Sequence, residues 1–178
     1  VIHVLREARI HKTPLTFRAA GTSLSGQSIT DSVLVMLGFS WNKIRVNSDG
    51  SKITLQPGVI GSLANQALRP FQRKIGPDPA SINSAMIGGI AANNSSGMCC
   101  GTAHNSYQTL AAMRIILSNG SVLDTQDSTS RKRFLKNHSE LCFKIQTLAQ
   151  KAKGDQKLAE RIRQKFKMKN TTGYSLNA

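Results

Sequence analysis

Apolar residues recur along this chain with two different periods, and the switches between them divide it into elements. Val1, Val4, Leu5 and Ala8 share one side of a helical wheel, which predicts an amphipathic opening helix. An extended segment follows over residues 15–18, and residues 32–38 read as a buried strand. Residues 43–46 and 52–55 alternate in polarity about Asn47, Ser48, Asp49 and Gly50, the pattern of a hairpin with a glycine turn. Pro57 and Gly58 end it, and Trp41 is expected to pack nearby. Ile60, Leu63, Ala64, Ala67 and Leu68 then predict a helix running to about Lys74. A second hairpin is expected from residues 113–117 and 122–125, joined through Ser118, Asn119 and Gly120. From Ser130 the pattern turns helical. Leu141, Ile145, Leu148 and Ala152 form one stripe, Gly154 and Asp155 interrupt, and Leu158, Ile162 and Phe166 form another. Both stripes are expected to make core contacts.

Two stretches follow neither period. Between Phe17 and Ile29, residues 21–27 are all glycine, serine, threonine or glutamine except Leu24. Small polar residues bury little apolar area, so this run is not core. It suits a turn that exposes consecutive backbone N–H groups, a nest for phosphate or pyrophosphate, with Gly21 and Gly26 permitting positive φ and close approach of a ligand. Gly21, Gly26 and Ser28 are spaced as in a P-loop, but Gln27 replaces its lysine and a strand follows instead of a long helix. A dinucleotide G-x-G-x-x-G fails as well, since residue 23 is serine. A polar linker is the competing reading.

The second stretch runs from Gly76 to Gly97. Pro77 and Pro79 fix an extended approach and restrict Asp78 between them. Ser81 or Asn83 is placed to cap a short helix over residues 84–91. Gly88 and Gly89 inside that helix cost about 1 kcal/mol each relative to alanine. The offsetting gain is close contact with a flat ligand or with another backbone; a tight helix–helix contact followed by a loop is the competing reading. Asn93 to Gly97 adds a polar turn.

Composition narrows the function classes. A chain of 178 residues is long enough for a sizeable core. It has no apolar run fit for a membrane helix, and its charged first residues do not form a signal peptide. It opens in mid-helix without an initiating methionine, so a piece of something longer is expected. Cys99, Cys100 and Cys142 have no zinc or iron–sulfur spacing and read as reduced thiols. The net charge is +15, and from Arg131 to Lys169 thirteen lysines and arginines face only Glu140, Asp155 and Glu160. Such a field attracts nucleic acid or an anionic membrane surface. Its alternatives are a solvated helical face or a surface that meets an acidic domain. Phe134, Phe143 and Phe166 stand at helix-like spacings, which does not favour single-strand stacking.

Arg18-Ala-Ala-Gly-Thr-Ser-Leu-Ser-Gly26 resembles the pyrophosphate loop of the FAD-linked oxidases of the vanillyl-alcohol oxidase/p-cresol methylhydroxylase type. The stretch from Asp78 to Gly97 is similar to that family's D-P-x-S…I-G-G-x-x-A-x-N-x-x-G motif, and Lys169 to Ala178 to its K-x-x-x-G-Y-x-L motif. Lys74 to Ser81, Met98 to Gly101 and Asn170 to Tyr174 most resemble the D-lactate and D-2-hydroxyglutarate dehydrogenase branch, in which an iron–sulfur region follows the flavin part. One departure stands out: Cys100 takes the place of the usual aromatic, and Asn105 that of a frequent acid. His104 and Asn105 are therefore not assigned to the flavin. Some relatives attach the flavin covalently, for which Cys99, Cys100 or His104 would be the points.

The resemblance implies an α+β fold of the two-subdomain, p-cresol-methylhydroxylase type with a mixed sheet flanked by helices. A short subdomain would span residues 1–58 and a larger one 59–178. FAD would lie between them. Its implied contacts are Arg18, Ala20, Gly21, Thr22, Ser23, Leu24, Ser25, Gly26 and Gln27 at the pyrophosphate. Pro77, Asp78, Pro79 and Ser81, with Ile87, Gly88, Gly89, Ala92, Asn93, Asn94 and Gly97, would flank the isoalloxazine and its linker. Gly173 and Tyr174 would return to the same site. The implied reaction oxidises a small D-2-hydroxy acid to the 2-oxo acid by hydride transfer to flavin N5. Substrate and iron–sulfur domains would lie outside this chain, no catalytic residue is assigned, and no metal is expected. The location implied is cytoplasmic, with peripheral attachment at the inner membrane face as an option. An enolpyruvyl-sugar reductase shares the flavin fold and stays open, as does a basic nucleic-acid-binding module, though nucleic acid ranks behind the flavin.

Overall fold

The computed structural model describes residues 1–38 and 40–168, which form two compact units. One unit comprises residues 14–109. It starts with strands β1 (Leu15–Arg18) and β2 (Val33–Met36), paired in parallel with Leu15 opposite Val33. The expected buried strand at 32–38 is shorter and only half-buried, since Val33 and Met36 are exposed. Among the described residues its ladder has two strands, so one edge of β2 lacks the neighbour that a buried strand needs.

Strands β3 (Ile44–Val46) and β4 (Ile53–Leu55) form the expected hairpin, with Ile44 opposite Leu55. Its turn is wired by side chains: Asn47 Oδ1 accepts from the Lys52 amide and Asp49 Oδ1 from the Ser51 amide. Gly50 at φ +67° lies directly under the Phe71 ring. Trp41 packs at the hairpin's end, where its carbonyl accepts from the Gly58 amide at 2.8 Å.

Helix α2 (Gly61–Leu68) continues only as a 3₁₀ turn, Arg69–Phe71. Pro70 and the left-handed Gln72 stop it short of Lys74. Helix α3 (Ile87–Ala92) starts later than the sequence suggests, and neither Ser81 nor Asn83 caps it. Met86 is held extended by its bridge to Ile60, while Ser84 and Ala85 turn back on the Ser81 carbonyl. Val59, Ala64, Leu68, Ala85 and Ile90 form the buried centre beneath α2 and α3. A short helix α4 (Ser106–Thr109) closes the unit. The division expected after residue 58 falls inside this unit, where α2 packs on β3 and the Val59 and Pro57 carbonyls bond to α3.

The other unit comprises residues 1–13 and 110–167. Helix α1 (Ile2–Ile10) buries Leu5, and the hairpin of β5 (Arg114–Ile116) and β6 (Val122–Asp124) turns at Gly120 with φ +83°. Asp127 caps α5 (Ser128–Asn137), and Asp155 caps α7 (Gln156–Lys165) after the break that ends α6 (Ser139–Gly154). Leu141, Ile145 and Leu148 are 39%, 59% and 67% exposed, so the first stripe is not core. Leu158 is 37% exposed, and Ile162 and Phe166 are half-buried. The α+β class holds. Strands of both senses occur, in three two-stranded ladders among the described residues.

Candidate functional site

Parallel strands cannot be joined by a tight turn, so β1 and β2 need a crossover, usually a helix. Here residues 19–32 make it as a loop. Gly21 and Gly26 take φ +69° and +76°, as the nest requires. Few bonds lie within the loop: the Ile29 amide donates to the Gly26 carbonyl, the Ser25 amide to Ser23 Oγ, Ser23 Oγ to Gln27 Oε1, and the Ser32 amide to Thr30 Oγ1. Among the described residues the amides of Thr22, Ser23, Leu24, Gly26 and Gln27 donate to no protein acceptor. Leu24 is fully exposed.

Arg18 ends β1, and its guanidinium folds back over Gly21. A Cβ at Gly21 would collide with Nε and Cζ of that side chain. The glycine thus admits Arg18, where the sequence suggested the approach of a ligand. Arg18 Nε is buried without a hydrogen-bond partner. A guanidinium against Gly21, at the head of a loop whose next amides lack protein acceptors, is chemistry for an anion.

The second stretch is built around Asp78, which follows the buried Pro77 and precedes Pro79. Asp78 Oδ1 accepts from the Cys100 amide at 3.2 Å, and Lys74 Nζ stands 3.8 Å from Oδ2. Burial pushes the Asp78 carboxyl up. The Cys100 thiol and amide, the Cys99 thiol and Lys74 outweigh it, and the carboxyl sits below its ordinary range. Gly97 has no room for a side chain, since a Cβ would strike Asp78. Its amide donates to Cys100 Sγ at 2.9 Å.

Between Asp78 and Gly97, α3 uses its two glycines differently. A Cβ on Gly88 would lie 2.9 Å from Pro57 Cβ, and the Ile87 and Gly88 amides already donate to Val59 and Pro57 carbonyls. Gly88 therefore serves backbone packing. Gly89 and Ala92 are exposed, and a Cβ on Gly89 would meet only Ala19, at 3.8 Å. That contact brings the crossover loop and α3 together. After α3, Asn94 adopts φ +44° and its Oδ1 accepts from the Tyr107 amide. Buried Ser95 and Ser96 follow, and Ser106 Oγ bonds to the Ile90 and Ser95 carbonyls. Asn93 Oδ1 is buried without a partner.

His104 is exposed, and its carbonyl crowds Gly76. Asn105 Oδ1 accepts from the Gln108 amide at the start of α4. Both have local structural work. Ser81 contributes its carbonyl to the turn before α3. Gly173 and Tyr174 lie outside the described residues. The expected contacts leave out Ala19 and Pro57, and name Cys100 only as a departure from the family pattern and a point of flavin attachment; its amide holds Asp78. Ala19 was discoverable as the one residue skipped between Arg18 and Ala20, whereas Pro57 acts through distant backbone and carried no local signal.

Residues 1–126 match the family described as FAD binding domain. The chain belongs to that family. Its relatives include the D-2-hydroxyglutarate dehydrogenases of Escherichia coli K12, 26% identical over 71% of this chain and 12% of that protein, and of Pseudomonas putida, 32% identical over 54% and 10%. The glycolate oxidase subunit GlcD of E. coli K12 is 33% identical over 50% of this chain and 18% of its own length. The chain thus spans between a tenth and a fifth of these curated relatives. Among solved structures, 6-hydroxy-D-nicotine oxidase from Arthrobacter nicotinovorans superposes with a TM-score of 0.61 at 18% identity, covering 70% of this chain and 27% of that one. A chitooligosaccharide oxidase gives 0.59 at 17% identity over 74% and 28%. Both likenesses concern the fold.

FAD is the cofactor of this FAD-binding domain. The residues present fit it on two counts: a buried, unpartnered guanidinium nitrogen beside free loop amides suits a diphosphate, and the open side of α3 at Gly89 and Ala92 suits a flat group. No described helix is long and apolar enough to cross a membrane.

Proposed function

We propose that this FAD-binding domain serves an enzyme that oxidises a D-2-hydroxy acid of the D-2-hydroxyglutarate or D-lactate type to the 2-oxo acid. The observation that carries the binding mode is Arg18, whose buried Nε lacks a partner beside the free amides of the crossover loop. Arg18 and the amides of Thr22 to Gln27 would hold the diphosphate. Gly89 and Ala92 would give the ring system its close approach, and Asp78 with Gly97 would fix the turn beside it. FAD, when bound, supplies the two-electron acceptor. The chain's own part is to bind, orient and shield it. The relatives' activities, on D-2-hydroxyglutarate and on glycolate, support the 2-hydroxy acid. The base and the carboxylate-binding groups, and an iron–sulfur relay, belong in our reading to further domains of the whole protein. We place it in the cytoplasm, with peripheral attachment to the inner membrane face through its basic helices.

Calorimetric titration of the purified chain with FAD, with FMN and ATP as controls, tests the binding mode. Binding of FAD in preference to both controls is expected. Failure both here and with a chain extended past Ala178 would overturn the reading.

A further inference from the structure

The segment that follows the family match has properties that flavin binding does not use. The match ends at residue 126, and α5, α6 and α7 lie wholly beyond it. None of these helices contains a buried residue among those described. Residues 128–165 carry eleven lysines and arginines against Glu140, Asp155 and Glu160, a net +8. On α6 the exposed Leu141, Ile145 and Leu148 form one stripe at helical spacing. Lys144 and Lys151 border it on one side and Lys153 on the other.

We propose that α6, with the cations of α5 and α7 around it, docks on an anionic lipid bilayer. This deepens the peripheral attachment suggested above and does not depend on the flavin. An aliphatic stripe bordered by lysines suits the boundary between headgroups and acyl chains, where apolar side chains enter and ammonium groups meet lipid phosphates. Nucleic acid and self-association use only half of these features. A duplex nucleic acid would satisfy the cations and leave three aliphatic side chains in water. Stacking on single strands needs aromatics, and Phe143 is the one strongly exposed on α6. A second copy of this chain would set two surfaces of like charge face to face.

Co-sedimentation of the full 178-residue chain with vesicles tests the proposal. Vesicles of phosphatidylcholine alone are compared with vesicles that also contain phosphatidylglycerol, with duplex DNA as competitor. At low salt we expect at least about tenfold more bound to the anionic vesicles, with most of it lost at high salt. The Ile145→Asp/Leu148→Asp variant should lose about tenfold in partition while keeping its FAD titration and its unfolding midpoint. Equal binding to both vesicle types, undiminished binding by that variant, or displacement of the chain from vesicles by DNA would overturn the inference. Because FAD affinity is read separately, loss of flavin binding with vesicle binding intact would count against the flavin reading alone.

Discussion

Arg18 and the glycine pair of α3 show how single residues divide the labour of the site. Replacing Arg18 with alanine removes a charged donor set, for which about 1.5–3 kcal/mol is typical. Titration calorimetry should then show FAD affinity reduced about 10- to 100-fold, with Arg18→Lys between the two because it keeps charge but not the planar fork. The glycines should respond oppositely. Gly88→Ala drives a methyl against Pro57 and is expected to destabilise the fold by about 1–3 kcal/mol in denaturant unfolding. Gly89→Ala meets only Ala19 at 3.8 Å, so it should leave stability unchanged or raise it by up to about 1 kcal/mol. Its effect should appear in FAD affinity. Asp78 gives a pH signature. Its carboxyl is held below its ordinary range, so the stabilisation it provides is present at neutral pH and is lost as pH falls through the folded value. Unfolding followed from pH 7 down to about 3 should show this loss beginning below about pH 4, with Asp78→Asn flattening that acid limb.

At the scale of elements, both hairpins were legible, because alternation around a glycine turn is a local signal. So was the crossover loop, whose small polar residues exclude a core role. Helix limits were less so. The Ile60–Met86 bridge delays α3, and no local pattern at Ser81 or Asn83 announces a pairing with a segment so far upstream. The exposure of the stripe on α6 is illegible for a different reason: periodicity shows that apolar residues share a face, and says nothing of what covers it. The correction can be checked directly. Leu148→Ala should change unfolding free energy by less than about 0.5 kcal/mol, as for other exposed positions. Leu68→Ala, in the buried centre beneath α2, should cost about 2–5 kcal/mol.

For the molecule as a whole, the +15 charge sets how an anionic dinucleotide arrives more than how tightly it is held. Stopped-flow association of FAD should therefore slow as ionic strength rises, while dissociation changes less. An association rate indifferent to salt would show that the long-range field plays no part.

The parallel pairing of β1 with β2 carries a further consequence, for the lengths this chain tolerates. A surface loop ordinarily accepts extra or missing residues with little penalty. The crossover at 19–32 is tied at both ends into one ladder, Leu15 opposite Val33 and Arg18 opposite Met36. Removing a residue there would pull the strands out of register or flatten the turns at Gly21 and Gly26, and each outcome moves Arg18 relative to Gly21 and the amides that follow it. Homologous chains should therefore vary in which small polar residues occupy this loop far more than in how many there are.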